Sequence, residues 1–283
     1  MRFRPAFTLI ELVFVIVVIG IIGKFGVEFL AQSYKNFIFS NVNNSLQANS
    51  ATAVEFISTR LQHRIKDSII ARKASGGFVA LGNASGEEYT ILEWVGADID
   101  GFHGNSDTGL PSWSGVIDLD ESNSTTIFSP ETNTTEIDEL IDILSDGGSF
   151  IDDAALYFIG SSSDITTGYG WSGAITDQNK TMHPIVGGAT FASVDGNFSE
   201  IYEYYQLAWS AYAVVHAADG NLTLYYDYQP WKGENYSNGK SSTIMENVSS
   251  FRFMTIGSLV KIQVCAKSNL VEEYSLCKEK TIY

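Results

Sequence analysis

Seventeen consecutive residues, Phe7 to Gly23, are apolar or small apart from one carboxylate, Glu11. No other stretch constrains the fold as much. As a helix the run measures about 25 Å, slightly short of a bilayer core, and Phe25, Val27, Phe29 and Leu30 extend it. Arg2 and Arg4 stand on the short side, so the cation bias predicts a cytoplasmic N-terminus and an exported body. A secretory signal peptide fits poorly, because no A-x-A site closes the run and it passes through Lys24 into further apolar residues. Glu11 needs its own explanation. Inside a membrane helix a carboxylate costs on the order of 2.5–3.5 kcal/mol. With no partner in the helix before Lys24, the reading places one elsewhere in the protein or on another chain.

After Lys24 the pattern turns amphipathic. Leu30, Tyr34, Phe37, Ile38, Val42, Leu46, Ala53, Phe56, Ile57, Leu61, Ile65 and Ile69 recur at three- to four-residue steps, with Lys35, Asn44, Gln47, Arg60 and Arg64 between them. The expectation is one helix over residues 7–73, spanning the membrane over 7–29 and packed on a domain thereafter, with ARKASGG (71–77) as its stop. His63 falls on its polar side. The domain itself, residues 74–283, changes character. FVAL, YTILEWVG, SGVIDLD, AALYFIG, YEYYQLAW, LYYDYQPW, SSFRFMTIGSLVKIQVCAKS and EYSLCKEKTIY are rich in Tyr, Phe, Val and Ile, and Gly, Asn, Asp and Ser separate them. AADGNL (217–222) reads as a hairpin turn, TTEIDELIDILSDGG (134–148) as a short helix ending at Gly147, and 97–135 as a long loop region. The sum is an α+β chain: a long N-terminal helix packed on a mainly antiparallel sheet.

Charge supports that division. Residues 1–73 carry nine Lys/Arg and four Asp/Glu, whereas 74–283 carry eight and twenty-nine. So acidic a body repels phosphates, which argues against nucleic acid as a partner and suits an exported surface. The two cysteines, Cys265 and Cys277, would close a loop of thirteen residues. Outside the cytoplasm the expectation is a disulfide contributing roughly 3 kcal/mol.

The stretch A6-F7-T8-L9-I10-E11-L12, with its short basic leader and apolar sequel, resembles the processing site of type IV pilins and type II secretion pseudopilins. The resemblance implies a leader at 1–6, cleavage by prepilin peptidase between Ala6 and Phe7, and N-methylation of Phe7. It also implies that Glu11 neutralises the Phe7 amine of a neighbouring subunit during filament assembly. Two departures stand out. Ala6 occupies the place where the family usually has Gly. The helix also lacks the proline found in many pilins, and Gly20, Gly23 and Gly26 supply flexibility instead. NVSSFRFMT (247–255) and the terminal EYSLCKEKTIY look like minor pilins and J-type pseudopilins. The implied function is a minor, non-enzymatic subunit of a type IV pilus or of a type II secretion system, which serves protein secretion. Its partners would be other pilin or pseudopilin subunits. The implied localisation is the inner membrane, single-pass, with the C-terminal domain in the periplasm or in an extracellular filament. The alternative is a membrane-anchored adhesin.

Other motifs carry less. Asp98, Asp100, Asn105 and Asp107 offer oxygen ligands of the type calcium uses, without the spacing of an EF-hand loop, and some pseudopilins hold calcium in a β-domain loop. No other cofactor is expected. GYGWSG (168–173) matches a dinucleotide fingerprint in letters only, because no strand precedes it and no helix follows. No hydrolase motif occurs: neither G-x-S-x-G nor H-E-x-x-H. Acidic residues stand two places before Asn123, Asn133, Asn197 and Asn221, each in an N-x-S/T sequon, as in bacterial N-glycosylation sites. The aromatic clusters read as β-domain packing.

Overall fold

The computed structural model describes residues 8–104, 109–194, 196–271 and 274–283. Its architecture is α+β, a long N-terminal helix against antiparallel sheets. Helix α1, Leu9–Gln62, has 54 residues and is about 80 Å long. A six-stranded sheet follows, in the order β11-β10-β9-β3-β1-β2. Its strands are β1 (Ile70–Lys73), β2 (Gly76–Ala80), β3 (Tyr89–Gly96), β9 (Ser210–His216), β10 (Leu222–Tyr226) and β11 (Lys240–Met245). A three-stranded sheet, β12 (Val248–Ile256), β13 (Leu259–Lys267) and β14 (Ser275–Ile282), lies alongside the helix. The third sheet has the order β4-β7-β6-β5-β8, from β4 (Thr126–Ile127), β5 (Ala155–Phe158), β6 (Met182–Val186), β7 (Phe191–Ser193) and β8 (Tyr205–Ala208). Among the described residues the further α-helices are α2 (Ile99–His103) and α3 (Thr134–Leu144).

The period-2 alternation of β3 explains why YTILEWVG reads as almost continuously apolar. Leu92 and Trp94 face one core, with Val42, Leu46, Val54, Ile57 and Leu61 of α1 and Val260, Ile262 and Val264 of β13. Ile91 and Val95 face a second core holding Tyr157, Tyr169, Trp171, Tyr228 and Trp231. Both faces of the strand are covered, so both sets of positions are apolar except Glu93, which is buried on the second face with Arg72 and the Tyr228 hydroxyl as partners. A third core, with Phe158, Ile185, Phe191 and Tyr205, lies between the five-stranded sheet and the Ile137 and Ile141 face of α3. The aromatic clusters are core in part: Tyr205, Tyr228 and Trp231 are fully buried, whereas Tyr204 is exposed and Tyr202, Tyr225 and Tyr226 are half-buried.

The long helix ends eleven residues before the expected boundary at 73, at Gln62. Ile65 and Ile69 do fall on the helical period, but the chain uses them otherwise. The Ile65 amide donates to the Val95 carbonyl at 2.8 Å and the Ala97 amide to the His63 carbonyl at 2.8 Å, which turns the chain across the end of β3. Asp67 takes a left-handed conformation, φ 63°. Ile70–Lys73 then runs antiparallel to β3, so ARKASGG is the end of β1, a two-residue turn at Ala74 and Ser75 and the start of β2, and not a helix stop. Two other expectations shift. SGVIDLD forms only isolated bridges, Val116 to Tyr204 and Asp118 to Phe128. The loop region 97–135 contains α2 and β4.

α3 forms where TTEIDELIDIL predicts it. The Asn133 side chain accepts from the Thr135 and Glu136 amides as its N-cap, and the Gly147 amide closes the other end on the Asp142 carbonyl. GYGWSG is a packed turn. Gly170 has φ 84°, and a Cβ there would lie 2.4 Å from the Pro230 backbone. The flanking Tyr169 and Trp171 donate to the Lys66 and Ser68 carbonyls at 3.0 and 3.2 Å, bracing the turn after α1.

Candidate membrane and assembly surface

Every residue from Leu9 to Asn41 is exposed, with Val18 and Ile38 only partly covered. Among the described residues this is one helix long and apolar enough to span a membrane. The exposed length is about 50 Å, more than a hydrocarbon core requires. Tyr34 and Phe37, beyond the expected span at 7–29, stand in the open and do not pack on the domain. Packing starts about a turn later, at Ile38 and Val42. There Phe39 meets Tyr274 with ring centroids 4.8 Å apart, and the Tyr274 hydroxyl donates to Asn43 Oδ1 at 3.1 Å.

From Val42 onward one stripe of α1 is buried at three- and four-residue steps: Val42, Leu46, Ser50, Ala53, Val54, Ile57, Ser58 and Leu61. The two serines fit because each hydroxyl turns back to the helix, Ser50 to the Leu46 carbonyl at 2.7 Å and Ser58 to the Glu55 carbonyl at 2.9 Å. Lys280 of β14 reaches the Glu55 carboxylate at 2.7 Å. At the lower end the Arg64 guanidinium donates to the Leu61 carbonyl at 2.7 Å and to the Tyr283 carbonyl oxygen at 3.2 Å. Cys265 and Cys277 are bonded and sit directly opposite each other on β13 and β14, so the bridge staples the two strands behind the helix.

Glu11 has a local, uncharged partner in its own helix cap. Its Oε2 accepts from the Thr8 amide at 2.9 Å and the Thr8 hydroxyl at 2.8 Å. Thr8 is the N-cap residue and Glu11 the third helical position. The T-x-x-E signature of residues 8–11 carries this arrangement, in which a side chain satisfies an amide that the helix leaves unpaired. Ala6 and Phe7 lie outside the described residues.

The remaining sequence candidates are scattered. Asp98 is turned inward, 4 % exposed, and accepts from the Gly101 amide and the Trp113 indole, each at 3.1 Å. Burial raises its pKa to about 6 against the pull of those two donors, and Asp100 adds to the rise. Asn105 and Asp107 lie outside the described residues, and among the described residues no three His, Cys, Asp or Glu side chains gather as metal ligands. The four sequon asparagines sit apart. Asn123, Asn133 and Asn197 are exposed, Asn123 holds its own turn and Asn221 bonds Asp219. Asn179, two places after Asp177, is a further exposed sequon of the same form. Comparison with known proteins adds nothing to these observations: no family model, curated protein or solved structure matches the chain.

Proposed function

We propose that this chain is a minor pilin or pseudopilin, a non-enzymatic subunit of a type IV pilus or type II secretion pseudopilus. The observation that carries the reading is a helix exposed from Leu9 to Asn41, apolar over its first half and continuous with a stretch docked on the body. A bilayer covers such a surface in the single subunit, and neighbouring helices cover it in a filament. The A-F-T-L-I-E-L pattern around Glu11 supports the same reading. In this account prepilin peptidase cuts between Ala6 and Phe7, Phe7 is methylated, and Arg2 and Arg4 hold the leader in the cytoplasm. The body faces the periplasm or the filament exterior.

Glu11 then has two roles. In the lone subunit Thr8 satisfies one carboxylate oxygen, which lowers the cost of holding the group near the membrane. In the assembly the charged Phe7 amine of a neighbour takes the carboxylate, a charge-assisted contact that compensates an ion already removed from water. Glu11→Leu separates the roles from simple anchoring. The variant should insert as well as wild type, since it is more apolar, and should disappear from cross-linked oligomers in native membranes. Oligomers equal to wild type would remove the filament reading and leave an anchored surface protein.

A further inference from the structure

A polar pocket of about 330 Å³ opens between the loop 161–168, β6 and residues 199–202. His183 of β6 forms part of its wall, although the residue is only 3 % exposed. The ring is clamped by Phe158 and Phe198, with centroids 4.6 and 5.9 Å away. Its Nδ1 lies 3.1 Å from Gln178 Oε1. The Gln178 Nε2 donates to the Pro184 carbonyl at 3.2 Å, which fixes the amide so that Oε1 faces the ring. Nδ1 therefore carries the proton and Nε2 carries a lone pair. Burial holds the imidazole pKa down at about 4, so the ring is neutral at physiological pH. Among the described residues Nε2 has no protein partner.

The surroundings select the ligand class. Hydroxyls from Ser162, Thr181 and Tyr202 line the pocket, and Asp164 and Glu200 add acceptors. The Thr167 hydroxyl holds the Asp164 carboxyl below the usual carboxylate range, and the Tyr202 hydroxyl donates to Glu200 at 2.8 Å. Lys180 also lines the pocket, 3.9 Å from Asp177 and near enough to Asp164 to help lower its pKa, so this one cation is shared among carboxylates. An anion would meet two carboxylates here and no cluster of cations. A ligand that donates hydrogen bonds through many hydroxyls fits, because it supplies Nε2, Asp164 and Glu200 with the hydrogens they accept. The partly exposed Tyr202 ring adds a flat apolar face of the kind on which a sugar ring packs.

We propose that this pocket binds a neutral carbohydrate, one of whose hydroxyls donates to His183 Nε2. The claim stands apart from the filament reading, since either could fail alone. The full chain, held in a detergent without a sugar headgroup, is titrated by saturation-transfer NMR with glucose, galactose, mannose and N-acetylglucosamine, and separately with inorganic phosphate and zinc chloride. At least one sugar should bind, and His183→Phe should weaken it tenfold or more. Ser162→Trp blocks the open side of the pocket without altering the buried ring, and it should do the same with an unchanged circular dichroism spectrum, so the test survives a His183 variant that misfolds. Wild type that binds no sugar at 20 mM, or binds one equally well in Ser162→Trp, overturns the assignment. So does saturable binding of phosphate or zinc in its place.

Discussion

Asp98 makes the stability of the body depend on pH in a direction opposite to most carboxylates. Its pKa rises from 3.8 to about 6 because burial among Trp113 and the start of α2 outweighs the hydrogen bonds from the Gly101 amide and the Trp113 and Trp209 indoles. A carboxyl with a raised pKa binds its proton more tightly folded than unfolded. Its contribution is complete below pH 3.8 and is lost as pH rises through about 6. At about 1.4 kcal/mol per pH unit the loss is about 3 kcal/mol. Asp98→Asn keeps an oxygen acceptor for the Gly101 amide or the Trp113 indole and cannot ionise. The variant should therefore gain about 3 kcal/mol relative to wild type between pH 3.5 and 7.5, equivalent to roughly 6–12 °C in melting temperature for a body of this size. Denaturant unfolding of the full chain in detergent, followed by tryptophan fluorescence, measures the difference at each pH. Taking variant minus wild type cancels the other carboxylates, which titrate alike in both. Parallel curves for the two proteins would refute the reasoning.

Two further predictions concern the framework that holds the helix. Glu93 is wholly buried, with Arg72 and the Tyr228 hydroxyl as its partners, the latter at 3.2 Å. Arg72→Met strands that carboxylate and should cost about 3–5 kcal/mol, while adding Glu93→Gln should restore most of the loss; equal unfolding midpoints for single and double variants would contradict this. Reducing Cys265–Cys277, or changing both to Ser, should lower stability by roughly 3 kcal/mol through the entropy of the opened thirteen-residue loop, and thiol titration before and after unfolding should find both sulfurs blocked until reductant is added.

Local signals carried much of the fold into the sequence. Asn133 and Gly147 punctuate α3 by their chemistry, and AADGNL closes the β9–β10 hairpin with Gly220 at φ 84°. The apolar first half of α1, long enough to span a membrane, follows from composition alone. The end of α1 did not, because Ile65 and Ile69 keep the helical period while the chain turns to pair with β3. Periodicity reports which residues are buried and is silent on what buries them. Tertiary hydrogen bonds, from Ile65 to Val95 and from the Tyr169 and Trp171 side chains to the turn, decide the boundary. Glu11's partner is legible in T-x-x-E, because an N-cap residue and the third helical position meet without any opposite charge. The His183 pocket was not legible at all. Its walls come from segments spread over forty residues that share no spacing, and β6 brings them together.

The central claim is that Phe7 becomes the first residue of the working protein. Mass spectrometry of the N-terminal peptide, taken from the chain isolated from its native membrane, tests it most directly. The account predicts a peptide beginning at N-methylated Phe7 and running through Glu11. An intact Met1, or a cut near Lys24 or beyond, would contradict it.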